Sequence, residues 1–204
     1  MRRIIAFDRV SADGYFAAPD GNLDWVVQDS ELDKSAAAAA KAEGPGTLLF
    51  GRKTYEMFES FWPNQLDESG TAQNPHGPGR SAEMHDLAVN INEAEKIVFS
   101  HTMKEPTWKN SRVVRELDPK EIEKMKKEPG KDMMIFGSGE IVSQLAEHHL
   151  IDEYQLIVNP VLLGSGKQLI SDVKDCQRLD LLECKPYSSG NILMHFISRK
   201  KNGA

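Results

Sequence analysis

Two segments of the chain join a buried-strand pattern to a glycine and then to helical spacing: Leu48-Leu49-Phe50-Gly51-Arg52-Lys53-Thr54, and Met133-Met134-Ile135-Phe136-Gly137-Ser138-Gly139-Glu140-Ile141-Val142. Each reads as strand, tight turn, helix. Glycine lets backbone N–H groups approach a ligand closely, and a helix that starts there aims its partial positive charge at an anion. The chemistry this suits is the capture of a nucleotide or dinucleotide phosphate, with Arg52 and Lys53 adding charge of the right sign. Turns of this kind also serve packing alone, so it is the occurrence of two that points to a ligand. Neither is a doubly wound dinucleotide fingerprint. After Gly137 and Gly139 the third small position is Val142, and the place of the ribose-binding acid is taken by Leu156-Ile157-Val158-Asn159.

A second set of residues offers aromatic faces and carboxylates. Ser11-Ala12-Asp13-Gly14-Tyr15-Phe16 carries an acid, a flexible glycine and two rings, and Asp24-Trp25, Phe58 and Trp62 extend the theme. Such rings sandwich a planar heterocycle, or they cover the core beside a turn. Other chemistries find less support. The six histidines show no metal-ligand spacing, and there is no nucleophile elbow, Walker lysine motif or Cys-His arrangement, so hydrolysis and phosphoryl transfer lose ground.

The elements that must position these residues alternate. Strands are predicted at Arg3 to Val10, Thr47 to Phe50, Lys96 to Ser100, Arg112 to Val114 and Asp132 to Phe136; helices at Ser30 to Ala42, from Gly51 onward, at Pro119 to Lys127 and after Gly139. Pro63 to Arg80 reads as a long surface loop, and three further strands, Glu153 to Asn159, Leu179 to Lys185 and Ile192 to Ser198, close the chain. This is an α/β pattern: a mainly parallel sheet with helices on both faces and an antiparallel carboxyl-terminal edge. Ligands of such sheets sit at the strand carboxyl ends, where both glycine turns fall.

Composition narrows the partners. With 204 residues and no Pro/Gly/Ser-rich linker, one domain is expected. The net charge of −6, with basic residues clustered only at Arg199-Lys200-Lys201, disfavours nucleic acid and anionic membrane. The amino-terminal apolar run is too short for a signal or a span, and the two cysteines, Cys176 and Cys184, suit a reducing compartment; a cytoplasmic location is expected.

The ordered set Ser11-x-Asp13-Gly14, Phe50-Gly51-Arg52-Lys53-Thr54-Tyr55-Glu56, Ile97-Val98-Phe99-Ser100 and Ile135-Phe136-Gly137-Ser138-Gly139 resembles the dihydrofolate reductase superfamily. Asp152-Glu153 and Asn159-Pro160-Val161-Leu162-Leu163-Gly164-Ser165-Gly166 make it similar to the branch of the carboxyl-terminal reductase domain of riboflavin biosynthesis, over nearly the whole chain.

The resemblance implies a dihydrofolate-reductase-like three-layer α/β/α domain over residues 1–204 that takes hydride from NADPH and commonly pairs as a homodimer through its carboxyl-terminal strands. It implies a cofactor site of Gly51, Arg52, Lys53 and Thr54, of Ser100, His101 and Thr102 at the adenosine ribose and its 2′-phosphate, and of Gly137, Ser138, Gly139, Glu140 and Ile141 at the pyrophosphate and nicotinamide. The two glycine turns would form opposite banks of one cleft. Gly14, Tyr15, Phe16, Trp25, Phe58 and Trp62 would wall a pterin-like or ribosylaminopyrimidine-like substrate. Asp13 and Asp24 are the catalytic candidates, with Asp29, Glu31 and Asp33 as further acids near the helix after the first strand. His101 stands where the pattern has an arginine, so NADPH over NADH would rest on Arg52, His101 and Lys104. The competing reading is a nucleotide-binding module that keeps the site without the chemistry.

Overall fold

The computed structural model describes residues 1–66 and 82–199. In chain order the elements are β1 Ile4–Ser11, β2 Tyr15–Ala17, α1 Ser30–Glu43, β3 Thr47–Gly51, α2 Arg52–Phe61, a 3-10 turn Pro63–Leu66, α3 Ala82–Glu93, β4 Glu95–Phe99, β5 Ser111–Val114, α4 Pro119–Lys127, β6 Met133–Phe136, α5 Gly139–Glu147, β7 Glu153–Asn159, β8 Lys167–Gln168, β9 Leu179–Pro186 and β10 Ile192–Ser198. Eight strands form one sheet in the order β5-β4-β3-β6-β1-β7-β10-β9. The first six run parallel, and β10 and β9 close the edge antiparallel, as the sequence pattern required.

The parallel strands are buried because helices cover both faces. Successive side chains of β1 alternate between layers. Ile4, Ala6 and Val10 join Ile122 of α4 and Ile141, Val142 and Leu145 of α5 in the larger core. Phe7 packs toward Leu32 of α1 on the other face, where Phe50, Tyr55 of α2, Ile91 of α3 and Trp108 form a second cluster. Asp29 caps α1 by accepting the Glu31 and Leu32 N–H groups, and Asp118 caps α4. Two features were not anticipated: helix α3, and a small antiparallel pair of β2 with β8. Of the expected loop, Pro63–Leu66 is a 3-10 turn and the rest lies outside the described residues. Among the described residues no helix is long and apolar enough to cross a membrane.

Candidate functional site

Strands β3 and β6 are parallel neighbours, so Gly51 and Gly137 leave the same sheet edge. The turns touch: a methyl group on Gly51 would collide with Ser138 Oγ. They therefore lie side by side, not on opposite banks, because the strands feeding them are hydrogen-bonded to each other. Gly137 and Ser138 have φ values of 64° and 65°. For Ser138 that left-handed conformation costs on the order of 1 kcal/mol, strain of the kind that collects at functional sites. It also turns α5 so that its first turn opens at the edge. Unlike α1 and α4, neither α2 nor α5 has a side-chain cap. Their leading N–H groups are left for another partner.

Beneath the turn lies Asp8 of β1. Its Oδ1 accepts the Gly137 N–H at 2.6 Å, while Oδ2 is buried without a hydrogen-bond partner. Burial pushes this carboxyl up to about 7, against the smaller downward pull of the Gly137 N–H. Just past β4, the strand beside β3, Ser100 Oγ accepts the Thr102 and Met103 N–H groups and shapes the loop that follows. Arg115 braces that loop by donating to the Ser100, His101 and Met103 carbonyls. It sits just past β5, so the rule that placed the glycine turns at strand carboxyl ends would also have found it.

These residues line one cleft of about 2410 Å³ among the described residues. Drug-sized ligand pockets run to roughly 300–1,000 Å³, so this cleft has room for a dinucleotide and a second ring together. Every expected cofactor residue lines it: Gly51, Arg52, Lys53, Thr54, Ser100, His101, Thr102, Gly137, Ser138, Gly139, Glu140 and Ile141. Lys104 does not. The donor set fits a phosphate-bearing cofactor, with two uncapped helix starts and the cleft-lining Arg52 and Lys53.

The cleft also has an aromatic wall. Phe136 stacks at 5.7 Å from Phe7 and 5.6 Å from Phe58, which lies 6.0 Å from Trp62. Tyr15 and Phe16 close the wall from β2. Arg9 of β1 and Asp33 of α1 also line the cleft, paired at 2.9 Å. Burial raises the Asp33 carboxyl above the usual carboxylate range; Arg9 pulls it down and the nearby Asp29 pushes it further up.

Four expected residues are placed elsewhere. Asp13 is exposed and outside the cleft, its oxygens accepting the Leu163 and Gly164 N–H groups and the Ser11 hydroxyl. The Ser11 hydroxyl first, then the Gly164 N–H, hold it below the ordinary carboxylate range. It is a loop tie that stays charged. Gly14 supplies the φ of 89° for the same turn. Asp24 is exposed and bonded to the Asn22 amide, and Trp25 lies beside it outside the lining. Of the remaining acids, Asp29 and Asp33 line the cleft, whereas Glu31 does not. Asp29 is committed to its cap and to the Ser189 hydroxyl; burial alone would raise it, but these bonds hold it down.

A mainly parallel three-layer sheet with its cleft at the strand carboxyl ends is a dihydrofolate-reductase-like architecture. Residues 2–193 match the model of the RibD C-terminal domain, and the chain belongs to that family. Among curated proteins it is similar to the uncharacterized protein YyaP of Bacillus subtilis (strain 168), 29% identical over 194 residues, covering 93% of this chain and 92% of YyaP. Among solved structures it resembles a putative riboflavin biosynthesis protein from Shewanella sp. PV-4, at 20% identity and a TM-score of 0.70, covering 97% of this chain and 99% of the other. It also resembles the Thermotoga maritima diaminohydroxyphosphoribosylaminopyrimidine deaminase/5-amino-6-(5-phosphoribosylamino)uracil reductase, at 13% identity and a TM-score of 0.62, covering 97% of this chain and 57% of that one.

Proposed function

We propose that the protein is an NADPH-dependent reductase of a small planar heterocycle, pterin-like or ribosylaminopyrimidine-like. The observation that carries this reading is the abutment of two uncapped helix starts at one sheet edge, in a cleft that also has an aromatic wall. The backbone N–H groups of α2 and α5 receive the phosphates. Ser100, His101, Thr102 and Arg115 meet the adenosine end, where Arg115, Arg52 and Lys53 favour the extra 2′-phosphate of NADPH. Phe7, Phe58, Phe136 and Trp62 hold the substrate ring and keep water out. Bound in this cleft, NADPH supplies hydride to the substrate. Asp33 supplies the accompanying proton.

The test starts from stability. NADPH at about 100 times its dissociation constant should add about 2.7 kcal/mol, which for a chain of this size is a rise of about 5–11 °C in melting temperature. Absorbance at the nicotinamide band, followed with a panel of dihydropterins and pyrimidines, then reports turnover. Absence of a shift with both NADPH and NADH would overturn the reading, and a shift without oxidation against any heterocycle would leave a binding module.

We also propose a homodimer that pairs through the sheet edge. Among the described residues strand β9 has one neighbour, and Leu181 and Leu182 on it and Ile197 beside it are 56%, 60% and 40% exposed. An apolar edge strand invites a second copy. Light scattering should report two chains per particle, and Leu182→Glu should return one.

A further inference from the structure

Asp8 stands in a central strand with helices over both faces, a position where an unpaired charge is expensive. The structure gives it one hydrogen bond, from the Gly137 N–H, and leaves Oδ2 sealed and unpartnered. A Cβ on Gly137 would lie 3.8 Å from Asp8 Oδ1 and 3.7 Å from Thr54 Cγ2, so the acid, the turn and the start of α2 meet at one point. The charged and titratable side chains on the surrounding elements are Arg9 on β1 itself, Glu153 and Tyr154 at the start of β7, Arg52, Lys53, Tyr55, Glu56 and Glu59 on α2, Glu140 and Glu147 on α5, Tyr15 on β2 and Lys167 on β8. None of them is a cause of its titration: burial raises it and the Gly137 N–H lowers it. Arg9, its chain neighbour, points to the opposite face and pairs with Asp33.

We propose that Asp8 is a positioning residue for the dinucleotide: as the neutral acid it fixes the Gly137 turn and lets the phosphates settle there, and as the carboxylate it repels them. It acts through the turn: Oδ2 is sealed and Oδ1 is engaged by the Gly137 N–H. The inference rests on the cofactor reading above. Its physics is linkage: an anion placed beside a buried acid raises the acid's affinity for its proton, and the proton in turn tightens binding of the anion by the same factor. Affinity is therefore greatest below the point where Asp8 loses its proton and declines as pH rises through it.

The experiment measures dissociation constants for NADPH and NADH by fluorescence titration from pH 6 to pH 8.5, for the native protein and for Asp8→Asn. Asparagine keeps an oxygen for the Gly137 N–H and removes the titration. If the bound anion raises the Asp8 pKa by about one unit, native affinity falls at least about fivefold across this range. The variant should be within about twofold of the native protein at pH 6 and should lack that fall. Proton uptake on binding, read by calorimetry in two buffers near pH 7.5, checks the native protein should the variant not fold. Equal pH dependence in both proteins, or no proton uptake in the native one, would overturn the Asp8 proposal and leave the cofactor reading standing. No binding of either nucleotide at any pH would overturn both.

Discussion

Gly139→Ala should lower the melting temperature by up to about 8 °C and weaken NADPH binding at least about tenfold. Elsewhere in a helix the exchange would stabilise, because alanine is the better helix former by about 1 kcal/mol. Here a Cβ would lie 2.7 Å from the Gln168 carbonyl oxygen, 2.7 Å from Phe16 Cε1 and 3.1 Å from the Leu169 carbonyl oxygen. The Phe16 ring can turn aside; the two carbonyls belong to a segment tied to α5, since Ser143 Oγ accepts the Ser171 N–H. The clash is relieved only by lifting the first turn of α5, the turn whose N–H groups face the cleft. Overpacking of this kind costs about 1–3 kcal/mol, enough to reverse the propensity gain. Calorimetry and a fluorescence titration check the two effects together. A melting temperature at or above the native value would show that the helix start has room to spare and that glycine is not required there for close approach.

Much of this fold could be read from the chain. The glycine turns, the helix starts and the antiparallel carboxyl-terminal edge were legible because each depends on local chemistry: a backbone freed at Gly51 and Gly137, and apolar runs of strand length. Contact between the turns was not, because it depends on the β3–β6 pairing, and strand order is a long-range property. Helix α3 was hidden next to a Pro/Gly/Asn-rich stretch that dominated the local signal. The catalytic candidates went astray for a different reason. Asp13 and Asp24 stand next to glycine and aromatic residues, yet acids in such turns usually bond nearby backbone, as Asp13 does with Leu163 and Gly164. The informative acids were Asp8 and Asp33. Asp8-Arg9 breaks the apolar run of the first strand, Ile4-Ile5-Ala6-Phe7, and a charged pair inside a strand buried on both faces is a signal that needs no structure to notice.

Asp33→Asn should lower kcat by about 10²–10³ while leaving the dissociation constant for NADPH unchanged, the loss expected when a positioned acid no longer supplies its proton. Four acids follow the first strand, and geometry separates them. Asp24 and Glu31 lie outside the cleft, and the Asp29 carboxylate is spent on capping α1. Asp33, on the next turn of the same helix, lines the cleft, and burial favours its protonated form. Arg9 holds it in one orientation at 2.9 Å, and asparagine retains an oxygen for that contact. A general acid works only while protonated, so native turnover should fall as pH rises through the raised Asp33 pKa, and the variant should lose that limb of the profile. The two acids should thus separate by readout: the Asp8 variant in how cofactor affinity changes with pH, the Asp33 variant in kcat. Retention of kcat within about threefold in Asp33→Asn would instead assign the proton to ordered water, with the Arg9–Asp33 pair reduced to orienting the ring.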